Sequence, residues 1–320
     1  MTMQELGPFR LAPWFSPRPW GRRDLRPWYG DEAFRGTAEP VGEAWLTGPE
    51  SVVETGPLQG WKLAVVAAEA GEQLLGASEA GARSCEFPLL VKLLFPADKL
   101  SVQVHPDDEH AQAMGEPRGK TECWYVLEAG PGATIGLGLK PGASADVVRA
   151  AIAGGTLEEW MQWVPVEVGD MVFVDAGTVH AIGPGMVLLE TQQTCDITFR
   201  MYDYGRLREL HVEQALMVMR SQTAAGKVAA REMDGFVRLI EQKYFTVDRY
   251  DVGAGNEARM DGGVPTCLAG LRGRGTVECP GVDPVELSPG RAVIVPASAA
   301  EAVVRSDGGV SFARCFAPGV

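Results

Sequence analysis

The chain has 320 residues, 46% of them hydrophobic and 22% charged, which is enough for a substantial core and for two domains. A formal net charge of −13 argues against a nucleic-acid partner, because phosphate backbones demand a basic face. No run approaches the roughly 18 apolar residues that span a membrane. Near the N-terminus Arg10, Arg18, Arg22 and Arg23 are interleaved with Pro and Trp, and Cys85, Cys123, Cys195, Cys267, Cys279 and Cys315 are scattered with no C-x-x-C pair. The expectation is a soluble cytoplasmic protein with reduced thiols and no membrane partner.

The 39 Gly and 22 Pro favour many turns and therefore many short strands. Residues 1–60, rich in Trp, Pro and Gly, read as extended or irregular. A helix is expected around 61–80, interrupted at Gly71 and Gly76. Residues 87–95 and 100–104 are apolar, β-prone runs separated by the turn Pro96-Ala97-Asp98-Lys99. Residues 107–114 read as a short helix beginning after Pro106, and 122–127 with 134–139 as a hairpin around Gly130-Pro131-Gly132.

Over 144–160 the pattern turns helical. Ser144 can N-cap, Val147, Val148, Ala151 and Ile152 have helical spacing, and Gly154-Gly155 stops the helix. Thr156, with Glu159 three residues on, predicts a second short helix opened by a capping box. Strands resume at 171–174 and 186–189. Residues 210–219, within a helical section at about 207–220, carry Leu210, Ala215, Leu216 and Met219 along one side. The polar stretch 221–230 reads as a boundary dividing the chain into 1–225 and 226–320, and 236–320 as nearly all strand and turn.

Two pieces read as internal copies. Residues 169–177, a glycine turn followed by an apolar strand and a tight turn, align with 290–298, and Tyr125 to Gly130 align with Ala269 onward. A repeated all-β unit of this size predicts a mainly β protein of two small barrels or jelly rolls with a few helices. The copies differ where chemistry would lie. His180 follows Gly177 by three residues, whereas Glu301 holds the corresponding place after Ser298, and the second unit contains no histidine.

Gln103 and His105 are two apart, so on a strand they share a face. Glu122 shares its face with Trp124 and Val126, as on a strand lining a barrel. His180 follows a glycine turn at the end of an apolar strand, a common place for a functional side chain on a rigid frame. Two imidazoles, one carboxylate and one amide oxygen suit Zn²⁺, with Fe²⁺, Mn²⁺ or Co²⁺ also open. Two of these features have plainer readings: Gln103 with His105 as a surface or core polar pair, and Glu122 as a solvated charge beside Lys120. His110 and His211 read as surface or helix-packing residues. No spacing rule brings the four candidates together.

The motifs themselves carry a resemblance. Gly169-x5-Asp175-x-Gly177-x2-His180 resembles the second motif of the cupin superfamily, with Asp175 where proline is usual. Residues 100–106 (Leu-Ser-Val-Gln-Val-His-Pro), 119–127 (Gly-Lys-Thr-Glu-Cys-Trp-Tyr-Val-Leu), 176–182 (Ala-Gly-Thr-Val-His-Ala-Ile) and 208–211 (Arg-Glu-Leu-His) resemble the type I mannose-6-phosphate isomerases, in their short bacterial form. Trp20-Gly21 and Gly42-Glu43-Ala44-Trp45 fit as well. The resemblance runs from about residue 15 to the C-terminus.

It implies two cupin-type jelly-roll barrels, the first metal-binding with helical insertions and the second metal-free. It also implies one Zn²⁺ held by Gln103, His105, Glu122 and His180, and interconversion of mannose 6-phosphate and fructose 6-phosphate through a cis-enediol. Arg200 matches an active-site arginine, and Ser101 and Lys120 match positions lining a sugar-phosphate pocket. Lys120 and Glu190 are the candidate bases, with Asp196 orienting Arg200 or another pocket group. Longer members carry a lysine shortly after the arginine where this chain has Tyr202-Asp203-Tyr204-Gly205-Arg206, so Arg206 is the candidate second phosphate contact. An iron-dependent cupin oxygenase and a non-catalytic sugar-phosphate-binding cupin are the competing readings. The expected partner is a small sugar phosphate, with the chain a monomer or homodimer.

Overall fold

The computed structural model describes residues 6–80 and 86–318, so Cys85 lies outside the described residues. Two units each pair a larger with a smaller antiparallel sheet. In the first, seven strands run in the order Gly226–Val228, Met171–Val174, Glu122–Ala129, Met186–Gln193, Leu89–Leu94, Val41–Trp45 and Trp14–Arg22. Facing them are five: Phe199–Tyr202, Val102–Val104, His180–Ile182, Thr134–Leu139 and Met161–Pro165. In the second unit, Phe9–Leu11, Ala292–Val295, Thr266–Gly273, Val310–Phe316, Thr246–Val252, Val237–Glu241 and Arg231–Glu232 form the large sheet. Asn256–Asp261, Glu301–Ser306, Gly275–Glu278 and Val285–Leu287 form the small one. This is a mainly β protein of two paired-sheet units, as the repeat predicts.

Strand alternation builds three layers at once. Along Glu122–Ala129, Trp124 and Val126 enter the core between the two sheets of the first unit, while Cys123 and Tyr125 point the other way. That outer face packs against the large sheet of the second unit, so Cys123, Tyr125, Val91, Leu93 and Leu189 share one core with Val247, Cys267, Ala313 and Cys315. Leu89–Leu94, buried on both faces, is apolar but for Lys92. Helices Leu63–Ala70 and Glu72–Ala80, separated at Gly71 and kinked at Gly76, add Val66, Ala67, Leu74 and Leu75 to the shared core.

The copied segments keep the same cross-strand register. Tyr125 pairs with Met171 in the first unit and Ala269 with Ala292 in the second, as the sequence alignment requires. Two strands cross the sequence division: Phe9–Leu11 pairs with Ala292–Ile294, and Gly226–Val228 pairs with Met171–Phe173. They occupy the same edge position in the two large sheets, so each unit closes that edge with chain from near the other's end of the sequence.

Several local expectations are corrected. Glu122–Ala129 and Thr134–Leu139 are both strands but do not form a hairpin, because they lie in opposite sheets. The connecting turn instead climbs across the unit, with Gly130 N donating to Gly185 O. Placement of the two strands in facing sheets outweighs the local turn signal. The helical stretch at 144–160 is an α-helix, Ala145–Gly154, capped by Ser144 and ended by left-handed Gly155, followed by a 3-10 turn, Leu157–Trp160. Thr156 makes no side-chain cap there, so the capping box does not form. The helix expected over 207–220 is Val212–Val218. Its Ala215 and Val218 are buried, whereas Leu210 lies outside it and is exposed. Both helices pack on the outer face of the five-stranded sheet and stiffen the strands that carry Gln103, His180 and Arg200.

Candidate metal centre

Three strands deliver the four candidate ligands into the first unit. On the small sheet, Arg200, Gln103, His180 and Leu137 stand side by side in cross-strand register. Across the interior, Glu122 opens its strand between Gln192 and Val174. His105 follows Val104 at the strand end, and its carbonyl takes the N–H of Gly177, which ties it to the turn leading to His180.

His105, Glu122 and His180 are all about 1% exposed, and their ligand atoms lie within 4.8 Å of one another. Glu122 Oε2 is 3.6 Å from His105 Nε2, and Glu122 Oε1 is 3.4 Å from His180 Nε2. Each imidazole is held from behind. His105 Nδ1 donates to Ile197 O at 2.8 Å, and His180 Nδ1 donates to Thr178 O at 2.9 Å. This tautomer leaves both Nε2 lone pairs facing Glu122, as a metal site demands. Burial, then the nearby Lys120 ammonium, pushes His105 well below its ordinary pKa. Burial is also the main cause that pushes His180 down to about 4. Both rings are therefore neutral, ligand-competent bases near pH 7.

Among the described residues, neither oxygen of Glu122 receives a directed hydrogen bond, although both are buried. A buried carboxylate without donors is costly unless a cation meets it. Lys120 partly answers, with Nζ at 3.2 Å from Glu122 Oε2 and 3.0 Å from His105 Nε2. The orphaned carboxylate between two presented Nε2 atoms fits a divalent metal. Gln103 lies at the same place: its Nε2 is 3.2 Å from His180 Nε2, and its Oε1 accepts from Ser101 Oγ at 3.1 Å. Turning that amide by a half-rotation would aim the oxygen inward and let Nε2 donate to Ser101 Oγ instead.

The other expected residues surround this cluster. Burial alone would lower the pKa of Lys120, but Glu122, Glu190 and Asp196 outweigh it and raise it, so it stays an ammonium. Glu190 accepts from Trp124 Nε1 at 3.0 Å and lies 3.4 Å from Lys92 Nζ. Burial, then the neighbouring Glu122 charge, raises its pKa. Asp196 is partnered by Lys92 at 3.5 Å, a pocket group but not Arg200. Arg200 donates from Nη1 to Glu209 O, while its Nε is buried with no acceptor among the described residues. Arg206 stands apart, with its guanidinium given to Asp98, Asp203 and the carbonyl of Lys99.

Lys92, Glu43, Trp45 and His211 were missed. The row Trp45–Lys92–Glu190–Trp124 crosses four strands in register, and Lys92 Nζ lies 4.5 Å from the Trp45 ring. Trp45 Nε1 and Arg18 both donate to Glu43, whose pKa burial would raise but Lys92 and Arg18 bring down overall. The signal for Lys92 was its place as the one cation in Leu-Leu-Val-Lys-Leu-Leu, since a lysine in a fully buried strand needs partners. His211 is no surface residue in role. Its Nδ1 accepts from Arg200 N at 3.2 Å, and its own N–H donates to Arg200 O at 2.7 Å, which clasps the arginine's backbone.

Residues 9–127 match the family described as phosphomannose isomerase type I, catalytic domain. Over 291 residues the chain is 36% identical to the mannose-6-phosphate isomerase of Streptococcus mutans, covering 87% of this chain and 88% of that protein. A mannose-6-phosphate isomerase of Bacillus subtilis is 34% identical over 260 residues, 77% of this chain and 79% of that one. The crystal structure of the mannose 6-phosphate isomerase from Bacillus subtilis superposes with a TM-score of 0.82 at 28% identity, over 97% of this chain and 99% of that one. A zinc-bound mannose 6-phosphate isomerase shares the fold, with a TM-score of 0.77 at 17% identity over 98% and 100% of the two chains. With the paired units, the ligand-competent cluster and these relatives together, the chain belongs to the type I phosphomannose isomerase family.

Proposed function

We propose that this protein is a zinc-dependent aldose–ketose isomerase that interconverts mannose 6-phosphate and fructose 6-phosphate. The observation that carries the metal half is the pair of buried Glu122 oxygens without directed donors, set between two imidazoles whose Nδ1 atoms are already committed. The substrate and the choice of zinc follow from the relatives, one of which is a zinc-bound structure. His105, Glu122 and His180 would hold the ion, joined by Gln103 through its amide oxygen. When bound, the ion supplies Lewis-acid polarisation of the sugar oxygens and offsets charge on an enediolate.

The chain's own groups do the rest. A proton must move between C2 and C1 of the open-chain sugar through a cis-enediol. Glu190, with its pKa raised by burial and held by Trp124 and Lys92, is suited to carry that proton. Lys120 stays an ammonium, and once His105 and Glu122 are engaged elsewhere it is released as a donor to the sugar. Arg200, always charged and with a free buried Nε, grips an anionic group, and Ser101 offers a hydroxyl beside Gln103. Arg206 contacts phosphate only if substrate draws it from Asp98 and Asp203.

The same reading takes 1–225 as the metal-bearing unit and 226–320 as its metal-free companion, apart from the two exchanged edge strands. It also takes the chain as a cytoplasmic monomer or homodimer, consistent with the free thiols of Cys123, Cys195, Cys267, Cys279 and Cys315. Metal analysis with a coupled assay on mannose 6-phosphate and fructose 6-phosphate tests the whole. One zinc per chain with turnover of both sugars is expected. Iron with oxygen uptake would favour an oxygenase, and sugar-phosphate binding without turnover a non-catalytic binder.

A further inference from the structure

The second unit holds no ligand of the cluster, yet it reaches the segment that carries Lys120 and Glu122. The turn between Val237–Glu241 and Thr246–Val252 leans over a polar cleft, and there Tyr244 OH donates to Asp108 Oδ2 at 2.7 Å. Asp108 opens the short helix that follows His105-Pro106. Its other oxygen, Oδ1, takes two bonds: Gly119 N at 2.9 Å and Gln193 Nε2 at 2.9 Å. Gln193 in turn accepts from Thr121 N through Oε1 at 3.0 Å. The backbone on either side of Lys120 is therefore pinned by one carboxylate, once directly and once through an amide.

The docking of that segment is close. Lys120 N donates to Pro106 O at 2.9 Å, and a Cβ added to Gly119 would stand 2.4 Å from the carbonyl carbon of Asp107. Only glycine permits the approach. Because His105 precedes Asp108 by three residues and Glu122 follows Gly119 by three, the same contacts join the stretches bearing two of the three clustered ligands.

We propose that Asp108 is a positioning residue for the metal centre and that Tyr244, from the metal-free unit, holds it in place. The second unit then does more than cover the first: through one phenol it sets how the Gly119–Glu122 segment meets His105. Groups that orient ligands without touching the metal are worth about 10- to 100-fold in affinity when lost. This inference rests on the zinc reading above.

The test is a double-mutant cycle on zinc affinity, measured by competition with a chelator on the full chain. Tyr244→Phe keeps the ring and removes one hydroxyl, and it is expected to weaken zinc about tenfold. Asp108→Ala is expected to weaken it further, and Tyr244→Phe should then cost nothing in the Asp108→Ala background. Asp108→Asn retains an oxygen for Gly119 and Gln193 and should recover affinity to within about threefold of wild type. Zinc affinity of Tyr244→Phe within about twofold of wild type, additive effects in the cycle, or Asp108→Asn as weak as Asp108→Ala would each overturn the proposal. If Asp108→Ala does not fold, Tyr244→Phe alone decides. A wild type that binds zinc but turns over neither sugar phosphate removes the isomerase reading and leaves this cycle to decide the coupling.

Discussion

The two units share a frame and differ in what the frame holds. In the first, the interior row across the large sheet reads Trp45, Lys92, Glu190, Trp124 and Val172; in the second, the equivalent row reads Arg238, Asp248, Arg314, Leu268 and Val293. Both rows are charged and buried in part, and each carries an ion pair, Lys92 with Glu190 in the first and Arg238 with Asp248 in the second. Arg238 donates to both oxygens of Asp248, and Arg314 lies over the Phe316 ring at 4.5 Å. One row further, Glu122 beside Gln192 becomes Thr266 beside Phe316, and His180 beside Gln103 becomes Glu301 beside Asp261. Glu301 meets Arg259 at 3.4 Å, a partly exposed ion pair worth little. The equivalent strands thus present a buried carboxylate without directed hydrogen bonds between two imidazoles in one unit, and a threonine and a partly exposed ion pair in the other. Chemistry follows the side chains, not the sheet order.

The sharpest way to break this contrast is to remove the unsatisfied carboxylate. Glu122→Ala should abolish bound zinc and cut turnover by at least about 10³-fold, read by metal analysis and the coupled assay. Full activity after chelation and dialysis would place the metal elsewhere. Arg200→Ala comes next, with zinc near one per chain but kcat/KM down about 10²- to 10³-fold. Loss of zinc in that variant would make Arg200 a structural member of the cluster.

A smaller effect is the pH dependence of the zinc-free protein. The folded imidazoles of His105 and His180 titrate below the ordinary 6.5, His180 at about 4. The folded state therefore binds fewer protons than the unfolded chain in that range. Their contribution is intact above about pH 6.5 and is lost as pH falls below it, for His180 down to about 4, at up to roughly 1.4 kcal/mol per pH unit for each ring. Thermal melts in chelator should show Tm falling from about pH 7 to about pH 5, and the fall should shrink in His180→Gln. A flat profile would mean these rings are solvated. Least of all should change in Glu301→His, which restores one imidazole to the second unit. Zinc should remain at one per chain, because Thr266 and Asp261 do not rebuild the set.

Much of this was legible in the chain, and the rest failed for identifiable reasons. The hairpin at 122–139 was misread because a glycine turn looks alike whether its strands pair or part to opposite sheets. Lys92 passed unnoticed because a charge inside an apolar run gives no hint of which strand will supply its carboxylate, here Glu190. His211 read as a surface or helix-packing residue because its partner is the backbone of Arg200, and backbone partners leave no trace in residue identity.

The sequence by itself determined the repeat, its register and the residue types of the metal cluster. Alternation with period two decides which side chains share a face, and the copied glycine-bounded strands carried that pattern through both units. It also determined that only one unit could hold an imidazole cluster, since the second contains no histidine. Tertiary structure alone decided that Gln103, His105, Glu122 and His180 converge, because their strands lie in two facing sheets and meet only when the unit closes. It decided, too, that Tyr244 should reach across to Asp108, a contact spanning 136 residues that no local pattern encodes.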